Sequence, residues 1–177
     1  MSTLHLDQAD ILIDLAQQKL YLPRLNKQYL ISSGKNGIGE TENSGQTPRG
    51  WHKVAEKFGQ NAPLNSVFVA RQVTGEIYNP QLAAEFPQRD WILTRILWLS
   101  GLEAGFNQGE GCDTYQRYIY IHGTPETEKM GEPLSHGCIR MRNPEVAELF
   151  DLISEDALVY ISEQTLDLEK LNVSKSE

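Results

Sequence analysis

One stretch of this 177-residue chain carries a strong helix signal, and most other apolar residues come in short runs with the period of a strand. Asp10–Leu15 reads DILIDL, acidic and apolar in alternation, and Lys19–Leu22 resumes with β-type residues after Gln17-Gln18. Successive strand side chains point to opposite faces, so this pattern, with a tight reversal between the runs, predicts a β-hairpin. Tyr29–Ser33, Trp51–Phe58, Ser66–Arg71, Arg117–Ile121 (RYIYI) and Leu158–Ile161 are further strand candidates. Ser32–Gly50, dense in Ser, Gly, Asn and Thr without an apolar period, predicts a long loop. The helix is signalled by Asn143 as N-cap, Pro144 at the first helical position, and Glu145 and Glu148 near the positive end of the macrodipole. Val146, Leu149, Phe150 and Ile153 then form one apolar face. The periodicities of Pro80–Phe86 and Ile92–Leu102 leave helix open without deciding it. The chain therefore reads as a single mostly-β domain with a few short helices over residues 10–162. An N-terminal segment, 1–9, precedes it, and a polar tail, 163–177, is expected to fray from Gln164 onward.

Charge and cysteine content narrow the function classes. Sixteen basic against 24 acidic side chains give a formal net charge of −8. Such a surface repels phosphate backbones and anionic lipid heads, so neither nucleic acid nor a membrane surface is an expected partner. Two cysteines cannot staple a domain of this size. Trp91–Leu99, the longest apolar stretch, is broken by Thr94 and Arg95 and falls far short of the roughly 20 residues that a spanning helix needs. Asp7 and Asp10 precede the first apolar run and the first basic side chain is Lys19, whereas a secretory leader has a positive start and then about 7–15 apolar residues. A cytoplasmic location is the expectation.

The chemistry concentrates in Tyr120–Asn143, YIHGTPETEKMGEPLSHGCIRMRN, which holds a cysteine and two of the four histidines. His122 follows an alternating strand, and Cys138 precedes the helix by a few residues. A thiol at a strand-to-helix junction lies near backbone N–H groups that favour its anion, the nucleophilic form, and a nearby histidine is the usual base. Gly137 allows a sharp turn that aims amides at a developing oxyanion. A zinc site of Cys112, His122, His136 and Cys138 lacks the paired spacing of structural zinc, and a Cys112–Cys138 disulfide does not suit the cytoplasm. His52, beside Trp51 in a strand, reads as structural, and His5 has no partner in sequence.

The segment resembles the signature of the L,D-transpeptidase catalytic domain (YkuD-type) family: a histidine, a gap, then Ser/Thr-His-Gly-Cys, an apolar residue and Arg or Asn. Here it stands as His122, Gly123, Thr124, then Ser135, His136, Gly137, Cys138, Ile139, Arg140. Ile11–Leu22 resembles the family's opening hairpin, Ser32-Ser33-Gly34-Lys35 its next strand end, and Thr47-Pro48-Arg49-Gly50 its TPxG turn, so the likeness covers residues 10–162. The resemblance implies a β-sandwich or barrel-like fold of mixed sheets with short helices. It implies Cys138 as the acylated nucleophile, His122 as its base oriented by the Gly123 carbonyl, His136 beside the thiol, and the Gly137 and Cys138 amides as oxyanion hole. No metal or cofactor is implied, and carbapenem-type β-lactams become possible ligands of Cys138.

Arg95, Arg117, Arg140 and Arg142 flank the segment, and a carboxylate-rich peptide bound to an acidic protein needs local guanidinium groups. Arg95, Arg117, Arg140 and Ser135 are therefore the substrate-binding candidates. Gly101–Tyr118 is a lid, a substrate-binding insertion or a surface loop. The functional expectation is a cytoplasmic L,D-carboxypeptidase that releases the terminal D-Ala of murein tetrapeptides during wall turnover. Its alternatives are a periplasmic L,D-transpeptidase that forms cross-links and a non-catalytic muropeptide-binding module.

Overall fold

The computed structural model describes residues 3–173. After a 3₁₀ turn at Leu6–Gln8, where His5 stands exposed, the chain forms β1 (Ile11–Asp14), β2 (Lys19–Leu22) and β3 (Lys27–Leu30), an antiparallel meander that contains the expected hairpin. The loop to β4 (Gly50–Phe58) runs as the composition predicts, and β5 (Ser66–Val69) and β6 (Gln72–Ile77) form a second hairpin. The helix α1 (Pro80–Glu85) starts where Asn79 Oδ1 accepts the Leu82 N–H at 2.8 Å. Then come β7 (Ile92–Gly101), β8 (Tyr120–Gly123), β9 (Ile139–Met141), α2 (Asn143–Leu152), β10 (Leu158–Ser162) and α3 (Leu168–Val173).

The strands make one curled mixed sheet in the order β3-β2-β1-β10-β4-β7-β5-β6, with β8 paired to β7 and β9 to β8. Two pairings are parallel, β1 with β10 and β8 with β9, and the rest are antiparallel. The main core gathers Ile11, Ile13, Leu20, Val54, Leu97, Leu99, Ile121, Ile139 and Met141 under Val146, Leu149 and Phe150 of α2.

Three readings are settled or changed. The undecided Ile92–Leu102 region holds the longest strand, β7, buried over most of its length. A strand buried on both faces reads as a continuous apolar run, which periodicity cannot tell from a buried helix. The second change concerns Asn143, which is not the N-cap of α2. Arg142 occupies that position, and the Asn143 side chain turns inward: its Oδ1 accepts the Thr94 hydroxyl at 2.7 Å, and its Nδ2 donates to the Thr124 carbonyl at 2.9 Å. Finally, the tail does not fray from Gln164. Leu166, Leu168 and Leu171 pack against Ala9, Leu12 and Tyr21, while the last residues of the expected tail, 174–177, lie outside the described residues.

Candidate active site

Strand alternation sorts the central segment into two faces. Ile121, Ile139 and Met141 enter the main core, whereas Tyr120 and Cys138 pack with Phe68, Ile96 and Trp98 on the opposite side. In the parallel β8–β9 pair, His122 faces Arg140 and Ile121 faces Ile139. Cys138, one residue before β9, thus falls beside Tyr120, on the same face as His122. Its sulfur accepts the Tyr120 N–H at 3.3 Å and its S–H donates to the Tyr118 carbonyl at 3.3 Å.

His122 is buried, and its Nδ1–H donates to the Gly123 carbonyl at 2.6 Å. That bond fixes the tautomer, leaving Nε2 as a proton acceptor. Gly123 must be glycine, because a Cβ there would lie 2.3 Å from Asn143 Oδ1 and 2.6 Å from the Leu93 carbonyl. The Asn143 link between Thr94 and Thr124 therefore braces the turn that orients the imidazole. Sequence reading misses this bracket; the conformational signal is Thr94, which takes φ +72° in the β7 bulge opposite β8.

The electrostatics reverse one expectation. Cys138 does not sit at a helix N-terminus, since β9 intervenes before α2. The residue is half-buried, yet desolvation of the sulfur dominates and pushes the thiol up to about 12, against the pull of the Tyr120 amide, Arg140 and Arg117. Burial lowers His122 below the usual histidine value, opposed by its bond to Gly123. Both shifts favour the uncharged forms, thiol and imidazole.

The loop carrying Cys138 is held by contacts from the N-terminal part of the chain. Thr47 donates its hydroxyl to the Gly137 carbonyl at 2.8 Å while accepting the Gly34 N–H at 2.8 Å. Gly137 takes φ +125°, and its amide donates to Ser135 Oγ at 3.1 Å. That amide is engaged, which removes it from the expected oxyanion hole in this conformation. Among the described residues, the Cys138 amide donates to no other group and remains the available donor. Ser135 Oγ–H donates to the Cys138 carbonyl at 2.5 Å, so Ser135 shapes the loop instead of facing a ligand.

The remaining candidates separate. His136 projects outward, with a side chain 75% exposed, and its Nδ1 lies 3.3 Å from Asp90. It stands between two clefts, one with Glu42, Gln116, Arg117 and Tyr118, the other with Asp90, Thr124, Glu128 and Arg140. Arg140 is buried and offset by Asp90 at 3.4 Å and Glu128 at 3.5 Å. Arg117 does not present a free guanidinium: it donates to the Gln46 carbonyl at 2.6 Å, and to Gly39 O and Ser44 Oγ at 3.3 Å. Arg95 is not a ligand-facing residue either, being buried and bonded to the Ala62 and Thr94 carbonyls at 2.8 and 2.6 Å. Arg142 reaches the Glu126 carbonyl at 2.9 Å.

Gly101–Tyr118 is packed down: Asn107 donates to the Arg49 and Trp51 carbonyls, and the Tyr115 ring stacks on Trp98 at 3.9 Å. His52, fully buried, joins this segment to β4 by donating to the Gly50 carbonyl at 3.0 Å and accepting from Thr114 Oγ1 at 2.9 Å. Cys112 and Cys138 are both free thiols. Among the described residues no group of three or more His, Cys, Asp or Glu side chains could hold a metal ion, and no helix is long and apolar enough to cross a membrane.

Residues 8–161 match the L,D-transpeptidase catalytic domain (YkuD) family. The chain belongs to this family. It is 40% identical over 57 residues to YqjB of Bacillus subtilis (strain 168), a protein assigned as an L,D-transpeptidase, and that match covers 32% of each chain. In fold it is similar to L,D-transpeptidase 3 from Mycobacterium tuberculosis, solved in complex with a faropenem-derived adduct (TM-score 0.53, 14% identity, 86% of this chain and 59% of that one). The Ldtfm–avibactam carbamoyl enzyme is comparable (TM-score 0.51, 17% identity, 90% of this chain and 50% of that one). The chain thus spans a third of the curated relative's length and half to three fifths of these solved chains. As an L,D-transpeptidase domain it has the mostly-β fold with short helices that its signature implies, a curled mixed sheet.

Proposed function

We propose that this L,D-transpeptidase-family enzyme is a cytoplasmic L,D-carboxypeptidase, removing terminal D-Ala from murein tetrapeptides through a thioester on Cys138. The observation that carries the reading is the alignment of Cys138 and His122 on one face of β8–β9, with the imidazole Nδ1–H committed to Gly123. Nε2 takes the S–H proton as sulfur attacks the carbonyl at the L-centre of diaminopimelate. The Cys138 amide meets the developing oxyanion. Collapse of the adduct expels the D-Ala amine, which receives the proton from the imidazolium. Water, deprotonated by His122, then attacks the thioester, releasing a carboxylate and restoring the thiol. Since both shifts favour the uncharged forms, in this reading His122 removes the thiol proton as the sulfur attacks.

Water as acceptor is the simpler reading for soluble tetrapeptides, because it asks for no second peptide beside the half-buried Cys138. A carbapenem-type β-lactam is the expected covalent inhibitor at the same sulfur. The second reading, amine transfer to form cross-links, draws on Asp90 and Glu128, whose carboxylates line the cleft beside His136 and suit a cationic amine. Incubation with free tetrapeptide and with disaccharide-tetrapeptide, read by mass spectrometry, separates the two. Loss of D-Ala is expected, in a protein recovered from the cytosolic fraction. Persistent cross-linked dimer, or recovery from the periplasm, overturns the proposal.

A further inference from the structure

Nothing in the sequence marks Arg71, yet its placement is unusual. Val69 pairs with Gln72, so Ala70 and Arg71 form the two-residue turn of the β5–β6 hairpin, with φ of +49° and +65°. Such turns favour Asn-Gly or other residues tolerant of positive φ; Ala-Arg is strained there. The turn carries the Arg71 guanidinium over Trp98, 4.7 Å from the ring centre, and over Tyr118 at 5.3 Å. One N–H donates to the Tyr120 hydroxyl at 3.1 Å. Tyr120 is the residue whose backbone N–H meets the Cys138 sulfur, so the guanidinium stands about one tyrosine side chain away from the thiol.

The other arginines near the thiol are occupied. Arg117 is bound to loop carbonyls, Arg140 is offset by two carboxylates, and Arg95 is buried against carbonyls. Among the described residues Arg71 has no carboxylate within 4 Å. Its contacts are ring faces and a phenol, which hold the planar cation in place while leaving N–H donors for a ligand. A groove of mixed lining, Phe58, Phe68, Val73 and Ile77 with Gln72 and Glu76, continues from it along the hairpin.

We propose that Arg71 is a specificity-determining residue that binds a free carboxylate of the substrate peptide lying off the scissile bond. The carboxylate at the D-centre of diaminopimelate fits, since the methylene chain between the two centres offers a similar reach. The assignment rests on the proposed function for the identity of the peptide. It deepens that reading by making the acidic form of the stem peptide the preferred substrate, an amidated one being disfavoured.

The test uses Cys138→Ala protein, so that binding is read without turnover. It is titrated calorimetrically with the free-acid tetrapeptide and with the same peptide carrying a carboxamide at the D-centre. The free acid is expected to bind about tenfold more tightly or better. Adding Arg71→Gln should erase that preference while leaving carboxamide binding within about twofold, and Arg71→Lys should keep part of it. Equal affinity for the two forms, absence of binding by either, or a preference that survives Arg71→Gln overturns the assignment. In protein retaining Cys138, Arg71→Gln should raise KM for the free acid with kcat kept. A wild-type protein that binds with this preference yet turns over neither peptide would remove the proposed reaction and leave Arg71 as the carboxylate site.

Discussion

Acidification should weaken this fold through one buried imidazole. His52 has no exposed surface, and burial lowers it to about 4 from an ordinary 6.5. Between these values the unfolded chain binds a proton that the folded chain refuses, so the unfolded state carries more protons and stability falls as pH falls. The contribution is complete above about pH 6.5 and is lost as pH drops toward 4. At about pH 4.5 the loss is on the order of 2–3 kcal/mol, since each pH unit below the unfolded value costs about 1.4 kcal/mol. Urea unfolding near pH 7 and near pH 4.5 measures it, with His52→Gln as comparator. Glutamine removes the titration and keeps a polar side chain between β4 and Thr114. The variant should be less stable near neutrality, and its penalty should shrink by about that 2–3 kcal/mol in acid, carboxylate titrations common to both proteins cancelling. Equal pH slopes for the two proteins would refute the argument and place the acid sensitivity elsewhere.

Cys138→Ala should abolish turnover with an unchanged unfolding transition, whereas Cys112→Ala should be nearly silent; an active Cys138 variant beside a dead Cys112 variant would reverse the assignment. Because His122 acts as a neutral base with a lowered pKa, kcat/KM should fall on the acid side with a midpoint below 6.5, and a midpoint above 7 would contradict the buried imidazole. Gly123→Ala sets a Cβ against the Leu93 carbonyl at 2.6 Å and Asn143 Oδ1 at 2.3 Å. The turn must shift, and kcat should drop by roughly 100-fold, the cost of misplacing a catalytic group by about an ångström; unchanged kcat in a folded variant would show that Gly123 does not orient His122.

The legible parts of this molecule are those whose pattern depends on near neighbours in sequence. DILIDL and KLYL are short β-type runs joined by a tight reversal, legible as a hairpin although both strands are buried on both faces, and the His122–Cys138 spacing is a local consequence of placing β9 against β8. What escapes depends on partners far along the chain. β7 hides because it is covered on both sides. Asn143 reads as a helix cap until Thr94, a bulge residue 49 positions earlier, claims its carbonyl oxygen. The thiol reads as easily ionised when its distance from α2 is counted in residues, and the three-residue strand between them redirects the helix away from it. The arginines look alike as letters; only folding shows which are bound to carbonyls, which to carboxylates, and that Arg71 rests on aromatic rings.

The sheet order has a consequence for truncation. The meander β1–β3 joins the other strands through β10 alone, the last strand made. Yet the Ser33 and Lys35 backbone groups that bond Ser135, and the Thr47 hydroxyl that clamps Gly137, all come from the segment just after that meander. The brace that shapes the His122–Cys138 loop thus follows directly on a meander whose strand pairing to the rest of the sheet runs through residues 158–162, between β1 and β4. A chain clipped before residue 158 should therefore lose both pairings of β10 and, with them, the sheet contact that ties the meander to β4.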